Sequence, residues 1–168
     1  SHCRALGAEG VAQDRYAHPL LTRPPMRFSL SSADLQEWNG DVLAVGLPQG
    51  DVDATATALE QRFAGITDAL KQQEFKGKPG DQLLITPLGG GPQRLVVLGL
   101  GESDSIDTDR LRGSAARAAK AAIGCEGSLG LQLPWAGTDA QDAARICAEA
   151  VRLCLYKDQR FCKEPDPR

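Results

Sequence analysis

Two glycines at the end of an aliphatic run are the residues of this chain best placed to approach a ligand. The run is Leu95–Leu98, preceded by Arg94, and Gly99 and Gly101 follow it. Glycines at such a position let the backbone turn tightly into a helix and come close to a phosphate group. A dinucleotide-binding turn needs a third glycine, however, and Asp104 stands in its place. We therefore predict a tight turn in which both glycines serve backbone geometry, with nucleotide binding as the weaker alternative.

Two further motifs have residue types that could bind ions. Leu88-Gly-Gly-Gly-Pro92 is rich in glycine, but it lacks the Lys-Ser/Thr pair of a phosphate-binding loop, and no helix follows it. We predict a hairpin tip. Asp139 and Asp142 are three residues apart, so a helix would place both carboxylates on one face, where they could hold a metal. Both fall in a predicted first helical turn, where the helix dipole favours acids, so we assign them a structural role.

No set of residues in the sequence has the types and spacing of a catalytic centre. Both histidines, His2 and His18, lie in the first 25 residues, so the remainder lacks the usual general base and the commonest metal ligand. The cysteine spacings fit no zinc pattern, and we predict reduced thiols, several of them in the core. We therefore predict no catalytic, cofactor-binding or metal-binding residue. The five cysteines are Cys3, Cys125, Cys147, Cys154 and Cys162.

The length and charge of the chain exclude several classes of protein. With 168 residues, the chain is long enough for one domain with one core. The net charge of −3 argues against an extended nucleic-acid footprint. No apolar run approaches the roughly 20 residues of a membrane-spanning helix.

The hydrophobic patterns predict alternating strands and helices in the order ββαββαβα. The strand at Gln82–Thr86 is joined to Arg94–Leu98 by a connection too short for a crossover helix. This pair is therefore predicted to be antiparallel within a mixed, mostly parallel sheet. The fold class is a three-layer α/β domain with helices flanking the sheet. The other predicted strands are Met26–Leu30, Asp41–Leu47 and Ser128–Leu133. The first predicted helix is long and has Leu59, Phe63, Ile66 and Leu70 on its apolar face, and the second covers Thr108–Ile123. The third runs through Tyr156, is capped by Thr138 with Gln141, and buries Ala143, Cys147, Ala150 and Cys154.

Both ends of the chain differ in pattern from the part between them. Residues 1–25 lack periodicity, and we interpret them as a disordered extension, a tag remnant or a misassigned start. Residues 163–168 are polar and proline-rich, which is typical of a linker. The predicted domain therefore covers residues 26–162.

Several segments together resemble the N-terminal domain of the M17 leucyl aminopeptidases, also called cytosol aminopeptidases. They match in order and spacing from about Met26 to Phe161, and the endings look most like the cyanobacterial branch. The resemblance implies a fold similar to macro domains, placed before a larger catalytic domain. The segments are Phe75-Lys-Gly-Lys-Pro-Gly80, Leu95-Val-Val-Leu-Gly-Leu-Gly-Glu102, the alanine-rich helix from Leu111, and Ala148-Glu-Ala-Val-Arg-Leu-Cys-Leu-Tyr156 with Arg160-Phe161.

The resemblance implies where the chemistry of the intact enzyme lies. In this family the C-terminal domain holds two divalent metal ions, manganese or zinc, on a lysine and the carboxylates of an Asn-Thr-Asp-Ala-Glu-Gly-Arg segment. Gly137-Thr-Asp-Ala-Gln-Asp142 is similar, but glycine replaces the Asn, Gln141 the Glu and Asp142 the Gly. It is not the metal motif, so no catalytic residue is carried over to this chain.

The resemblance also sets the functional expectations. It implies a cytoplasmic, homo-hexameric enzyme that acts on peptides, in which this chain is a non-catalytic domain packed with its own catalytic domain. The domain is expected to contribute to assembly and to active-site access. One rival hypothesis is a macro-like module that binds ADP-ribose or a related nucleotide at the glycine turn. A third is DNA binding, which the acidic balance of the chain disfavours.

Overall fold

The computed structural model describes residues 26–29, 31, 34, 36–88, 91–135 and 137–155. Predictions that fall on residues 1–25 and 156–168, including both histidines, the extension and the linker, lie outside the described residues. None of the described helices is long and apolar enough to cross a membrane. The strands are β1 (Val42–Pro48), β2 (Gln82–Ile85), β3 (Arg94–Gly101) and β4 (Leu129–Gln132); the helices are α1 (Val52–Glu60), α2 (Ile66–Gln72), α3 (Thr108–Ala121) and α4 (Ala140–Leu155), with a short 3₁₀ turn at Ser103–Ser105.

The four strands form one mixed sheet in the order β2-β3-β1-β4. β1 runs parallel to both β3 and β4, with Val45 opposite Val97 and Gln132. β2 is antiparallel to β3, with Leu84 opposite Val96. The predicted antiparallel pair and the mostly parallel α/β sheet are therefore confirmed.

Strand β3 lies inside the sheet and is buried on both faces. Leu95 and Val97 pack in a cluster with α1 and α2, whereas Val96 and Leu98 pack with Ala118 of α3 on the other face. All four side chains are fully buried. An uninterrupted aliphatic run is the pattern expected for a strand covered on both sides, and the helices here provide that cover. The predicted three-layer arrangement is confirmed.

The predicted long helix after β1 is instead two helices, α1 and α2. Gly65 adopts a left-handed conformation with φ of 89°, which an α-helix cannot accommodate. The Glu60 carboxylate accepts hydrogen bonds from the backbone N–H groups of Gly65 (2.6 Å) and Thr67 (2.8 Å), and so stabilises the start of α2. The predicted apolar face is nevertheless buried. The predicted spacing of the buried residues is therefore confirmed, whereas the prediction of one continuous helix is wrong. The members of the face are Leu59, Phe63, Ile66 and Leu70.

The start of α4 differs from the predicted capping box of Thr138 and Gln141. The Asp139 carboxylate accepts the Gln141 N–H (3.0 Å), and the Asp139 carbonyl accepts the Ala143 N–H (2.9 Å). Thr138 lies in the preceding turn, where its N–H donates to the Trp135 carbonyl (3.0 Å). Asp139 therefore caps the helix. On its buried face Cys147 and Cys154 are only half-buried, and the fully buried residues are Ala143, Ile146, Ala150 and Val151.

The predicted strand at Met26–Leu30 does not form over its described part. Residues 26–29 are exposed and pair with no described strand, and Leu30 lies outside the described residues. Met26 and Phe28 are each 43% exposed. The Arg152 guanidinium of α4 lies 5.8 Å from the centre of the Phe28 ring. An alternating pattern suits a strand only where a neighbour completes the hydrogen-bond ladder, and none is described here.

Candidate functional site

The carboxyl ends of β1 and β3 form the place where this sheet would accept a ligand. The two strands are adjacent and parallel, but β1 leads to α1 on one face and β3 leads to α3 on the other. In open α/β sheets, ligands bind in the crevice at such a reversal. A cleft of about 390 Å³, open to solvent, lies at this point. It is lined by Gln49, Gly50, Glu102, Ser103 and Asp104.

Gly99 lies against the backbone of the loop that precedes β2. A Cβ atom at Gly99 would be 2.1 Å from the Lys78 carbonyl oxygen. The Gly99 N–H donates to the Asp81 carbonyl at 2.8 Å. The absence of a side chain is therefore required by contact with the protein's own backbone.

Gly101 is also enclosed by the chain's own groups. Its φ of +81° is left-handed, and a Cβ atom there would be 2.7 Å from Arg110 Nη1. Its N–H donates to the Gly77 carbonyl and its carbonyl accepts the Gln49 N–H, both at 2.8 Å. The structure thus gives both glycines a role in backbone geometry. It leaves no free N–H at either glycine to receive a phosphate.

Two arginines of α3 bind the carbonyls at the end of β3. Arg117 Nη2 donates to the Gly99 carbonyl at 3.0 Å, and Arg110 Nη1 donates to the Leu100 carbonyl at 2.7 Å. Burial, and then the nearby positive charge of Arg110, lower the pKa of Arg117, while Asp81 opposes the shift. Sequence reasoning missed this pair. Its signal is the spacing of seven residues, which places both side chains on one helical face two turns apart.

Asp81 closes the loop that rests on Gly99. Its carboxylate accepts the N–H groups of Lys76 (3.1 Å) and Lys78 (3.0 Å), and its own N–H donates to the Lys78 carbonyl (3.0 Å). Sequence reasoning did not single out Asp81. The loop it closes belongs to Phe75–Gly80, so two of the segments that carry the family resemblance contact each other.

The electrostatics of the cleft oppose an anionic ligand. Glu102 and Asp104 contribute carboxylates, and among the residues that line it none is cationic. Asp104 occupies the position where a nucleotide-binding turn would have its third glycine. A pyrophosphate would meet negative charge where it needs free N–H groups or cations. The cleft gives no support to the ADP-ribose hypothesis.

The other sequence candidates lie apart from the cleft. The Leu88–Pro92 segment connects antiparallel β2 and β3, as predicted for a hairpin tip; Gly89 and Gly90 lie outside the described residues. Asp139 caps α4, whereas Asp142 pairs with Arg145 at 3.5 Å. The described residues contain no group of three or more side chains that could hold a metal.

The described cysteines behave as separate thiols. Cys125, Cys147 and Cys154 are free and half-buried. Burial raises the pKa of the Cys147 thiol, which lowers its reactivity. The Cys154 thiol donates to the Ala116 carbonyl of α3 at 3.4 Å. Cys147 and Cys154 therefore contribute to packing around α4, and Cys3 and Cys162 lie outside the described residues.

Solved structures share this fold. A mutant of tomato leucine aminopeptidase superposes with a TM-score of 0.71 over 85% of this chain and 31% of its own, at 23% identity. At that identity the match shows the fold alone. The bottromycin maturation enzyme BotP, in complex with Mn, superposes with a TM-score of 0.54 over 72% of this chain and 24% of its own, at 25% identity.

Sequence comparisons identify the family. A probable cytosol aminopeptidase of Synechococcus sp. (strain CC9605) is 94% identical over 143 residues, and that of strain CC9902 is 59% identical over 144. Each match covers 85% of this chain, which spans 29% of the length of these relatives. Residues 42–165 match the sequence profile described as the cytosol aminopeptidase family, N-terminal domain. The chain therefore belongs to the cytosol aminopeptidase family and corresponds to its N-terminal domain.

Proposed function

We propose that this chain is the non-catalytic N-terminal domain of a cytosolic leucyl aminopeptidase. Its role is to support assembly and to shape access to an active site in the remainder of the protein. The observation that carries this proposal is the match of residues 42–165 to the N-terminal domain of the family, in a chain that spans 29% of its relatives.

The chemistry of the intact enzyme is assigned to the remainder of the protein. The chemistry that two divalent ions, manganese or zinc, would supply there is polarisation of the peptide carbonyl and activation of a water molecule. The structure of BotP in complex with Mn supports the expected metal, and the tomato leucine aminopeptidase supports the aminopeptidase activity. The partners are accordingly the chain's own catalytic domain, peptide substrates of the intact enzyme and other copies in a homo-hexamer.

The geometry of the chain suits a supporting role. The turn at the end of β3 is held by hydrogen bonds to the loop before β2 and by two arginines that donate to its carbonyls. Groups engaged in this way fix the backbone and are not available for proton transfer. A backbone held in this way can position a neighbouring domain without contacting substrate.

Removing this domain from an intact relative tests the assembly role. The relative from Synechococcus strain CC9605 would be prepared whole and without the residues that match this chain. We expect the whole protein to sediment as a hexamer and the shortened protein as smaller species. Metal content measured on both would show that the remaining domain is folded. A shortened protein that keeps its metal, its hexameric mass and its rate of leucine release would contradict the proposal.

A further inference from the structure

Asn39 is the only asparagine in the chain, and a glycine follows it directly. The side-chain amide of an asparagine can be attacked by the backbone nitrogen of the next residue. Glycine leaves that nitrogen the least obstructed, because it has no Cβ atom. The pair therefore has the chemistry of a spontaneous modification site, and its reactivity depends on how the fold holds Asn39 and Gly40.

The fold leaves the reacting nitrogens of this pair without hydrogen-bond partners. Both residues lie in the irregular segment before β1, and Asn39 is exposed. Among the described residues, nothing accepts from the Gly40 N–H, which supplies the attacking nitrogen, or pairs with the Asn39 side-chain nitrogen, which departs. A backbone nitrogen in a helix or a strand ladder would first have to break its hydrogen bond by local opening. No such step is needed at Gly40.

The contact that the Asn39 side chain does make is compatible with the reaction. Arg62 Nη2 donates to Asn39 Oδ1 at 3.4 Å and to the Trp38 carbonyl at 2.5 Å. The Oδ1 atom is retained in the product, so the hydrogen bond does not have to break. A cationic donor also favours the negative charge that gathers on this oxygen during the attack.

Packing around Trp38 requires glycine at the position after Asn39. A Cβ atom at Gly40 would lie 2.1 Å from two carbons of the Trp38 ring, and one at Gly130 of β4 would lie 2.7 Å from the same ring. The indole thus rests on both glycines, and a side chain at position 40 would displace it. The fold therefore demands the residue that makes Asn39 reactive.

We propose that Asn39 deamidates spontaneously in the folded chain. The Gly40 backbone nitrogen loses its proton and bonds to Asn39 Cγ, while the bond from Cγ to the side-chain nitrogen breaks and that nitrogen leaves as ammonia with the proton. The product is a cyclic succinimide. Water then adds to one of its two carbonyls, giving aspartate when the new bond to Cγ breaks and isoaspartate when the original peptide bond breaks. In total, one water is consumed and one ammonia is released.

The two products should affect the stability of the fold differently. Aspartate keeps the backbone and places a carboxylate beside Arg62, an exposed ion pair of little consequence for stability. Isoaspartate inserts one carbon atom into the main chain at position 39. That position lies between two held points, the Trp38 carbonyl on Arg62 and the Asp41 N–H, which donates to the Ser128 hydroxyl at 3.2 Å. The isoaspartate form should therefore be the less stable one.

Peptide mapping by mass after ageing of the purified chain tests the proposal. The chain is kept at neutral pH, at one temperature below its thermal transition, and a second sample is aged unfolded in urea. The peptide that contains Asn39 should gain one mass unit and resolve into two chromatographic peaks. Asn39→Gln is the matched control, because glutamine cyclises far more slowly, and its peptide should stay unchanged.

The ratio of the two rates distinguishes reaction in the folded chain from reaction after unfolding. Unfolded molecules make up on the order of 10⁻³ or less of a stable protein, so a reaction that required unfolding would be slowed at least about a thousandfold. We expect the folded chain to be slower than the unfolded chain by less than about a hundredfold. A larger slowing, or a folded chain in which the Asn39 peptide reacts no faster than that of Asn39→Gln, overturns the proposal.

Urea unfolding of the aged product tests the effect on the backbone. The modified chains are collected by ion exchange through their additional negative charge, and the isoaspartate form is separated by hydrophobic-interaction chromatography. Asn39→Asp is the reference, since it has the same charge and an unaltered main chain. The isoaspartate form should unfold at a lower urea concentration than Asn39→Asp, which should match the unmodified chain. Coincident unfolding of the isoaspartate form and Asn39→Asp would overturn the predicted difference between the products.

Discussion

Gly99 sits where two stretches of backbone approach more closely than any side chain would allow. Its N–H is bonded to Asp81, its carbonyl is bonded to Arg117, and Lys78 occupies the space where a Cβ would lie. The pattern of glycines after an aliphatic run predicts a backbone role, which this geometry provides. The pattern does not reveal which loop makes the contact, because the loop is distant in sequence.

Replacing Gly99 with alanine should strongly destabilise the fold. A Cβ 2.1 Å from a carbonyl oxygen forces the loop and β3 apart, and we expect a loss of at least about 2 kcal/mol in the free energy of unfolding. Gly113→Ala is the matched control, since nothing lies within 4 Å of its Cβ position on α3. That change should stabilise the chain by about 0.5–1 kcal/mol. Urea unfolding measures both, and a loss under about 0.5 kcal/mol for Gly99→Ala would contradict the contact.

Glu74 is the one described residue other than glycine with a positive φ, 50°. It follows α2 at the position that glycine usually occupies after a helix. The Phe75 N–H donates to the Leu70 carbonyl (2.9 Å) and the Glu74 N–H donates to the Lys71 carbonyl (3.1 Å), which satisfies the last carbonyls of the helix. The conformation therefore belongs to a helix ending. It is no sign of a strained active site.

At the scale of the elements, Asp41 ties the starts of three strands together. Its carboxylate accepts the Ser128 N–H (2.8 Å), the Ser128 hydroxyl (3.1 Å) and the Gln93 amide (3.3 Å). Asp41 directly precedes β1, Ser128 precedes β4 and Gln93 precedes β3. The hydrogen bond from the Ser128 backbone, followed by that from its hydroxyl, lowers the pKa of Asp41 below the ordinary value of 3.8.

The lowered pKa of Asp41 should make the fold sensitive to acid. Because the folded pKa lies below the unfolded value, the stabilisation is fully present above pH 3.8 and is lost as pH falls through the lower folded pKa. The difference in unfolding free energy between the unmodified chain and Asp41→Asn should therefore shrink as pH drops below 3.8. Glu126→Gln is the control, since its carboxylate bonds to no other described residue. If the difference in unfolding free energy between the unmodified chain and Asp41→Asn did not change with pH, the lowered pKa of Asp41 would be contradicted.

Local sequence signals predict some element boundaries and miss others. The short connection before Arg94 correctly predicts an antiparallel pair, because no helix fits in it. The break between α1 and α2 is missed, since buried Phe63 and Ile66 keep helical spacing across a turn that Gly65 makes possible. Thr138 and Asp139 are both residue types that cap helices well. Asp139 is the cap here because Thr138 belongs to the preceding turn, where its N–H donates to the Trp135 carbonyl.

At the scale of the whole molecule, the sequence predicts the layers but not the strand order. The aliphatic run of β3 indicates a strand covered on both faces, whereas the placement of β1 between β3 and β4 depends on contacts across the chain. The cleft at the ends of β1 and β3 follows from that order. Its acidic lining by Glu102 and Asp104 could be read from the sequence only once the strands were placed.

We propose that this chain supports an aminopeptidase without carrying out its chemistry. Hydrolysis of a leucine anilide in the presence of manganese tests that claim most directly. The isolated chain and the intact relative from Synechococcus strain CC9605 would be assayed side by side at equal molar concentration. We expect steady release of leucine by the relative and none above the buffer rate by the isolated chain. Steady turnover by the pure isolated chain would contradict the proposed non-catalytic role.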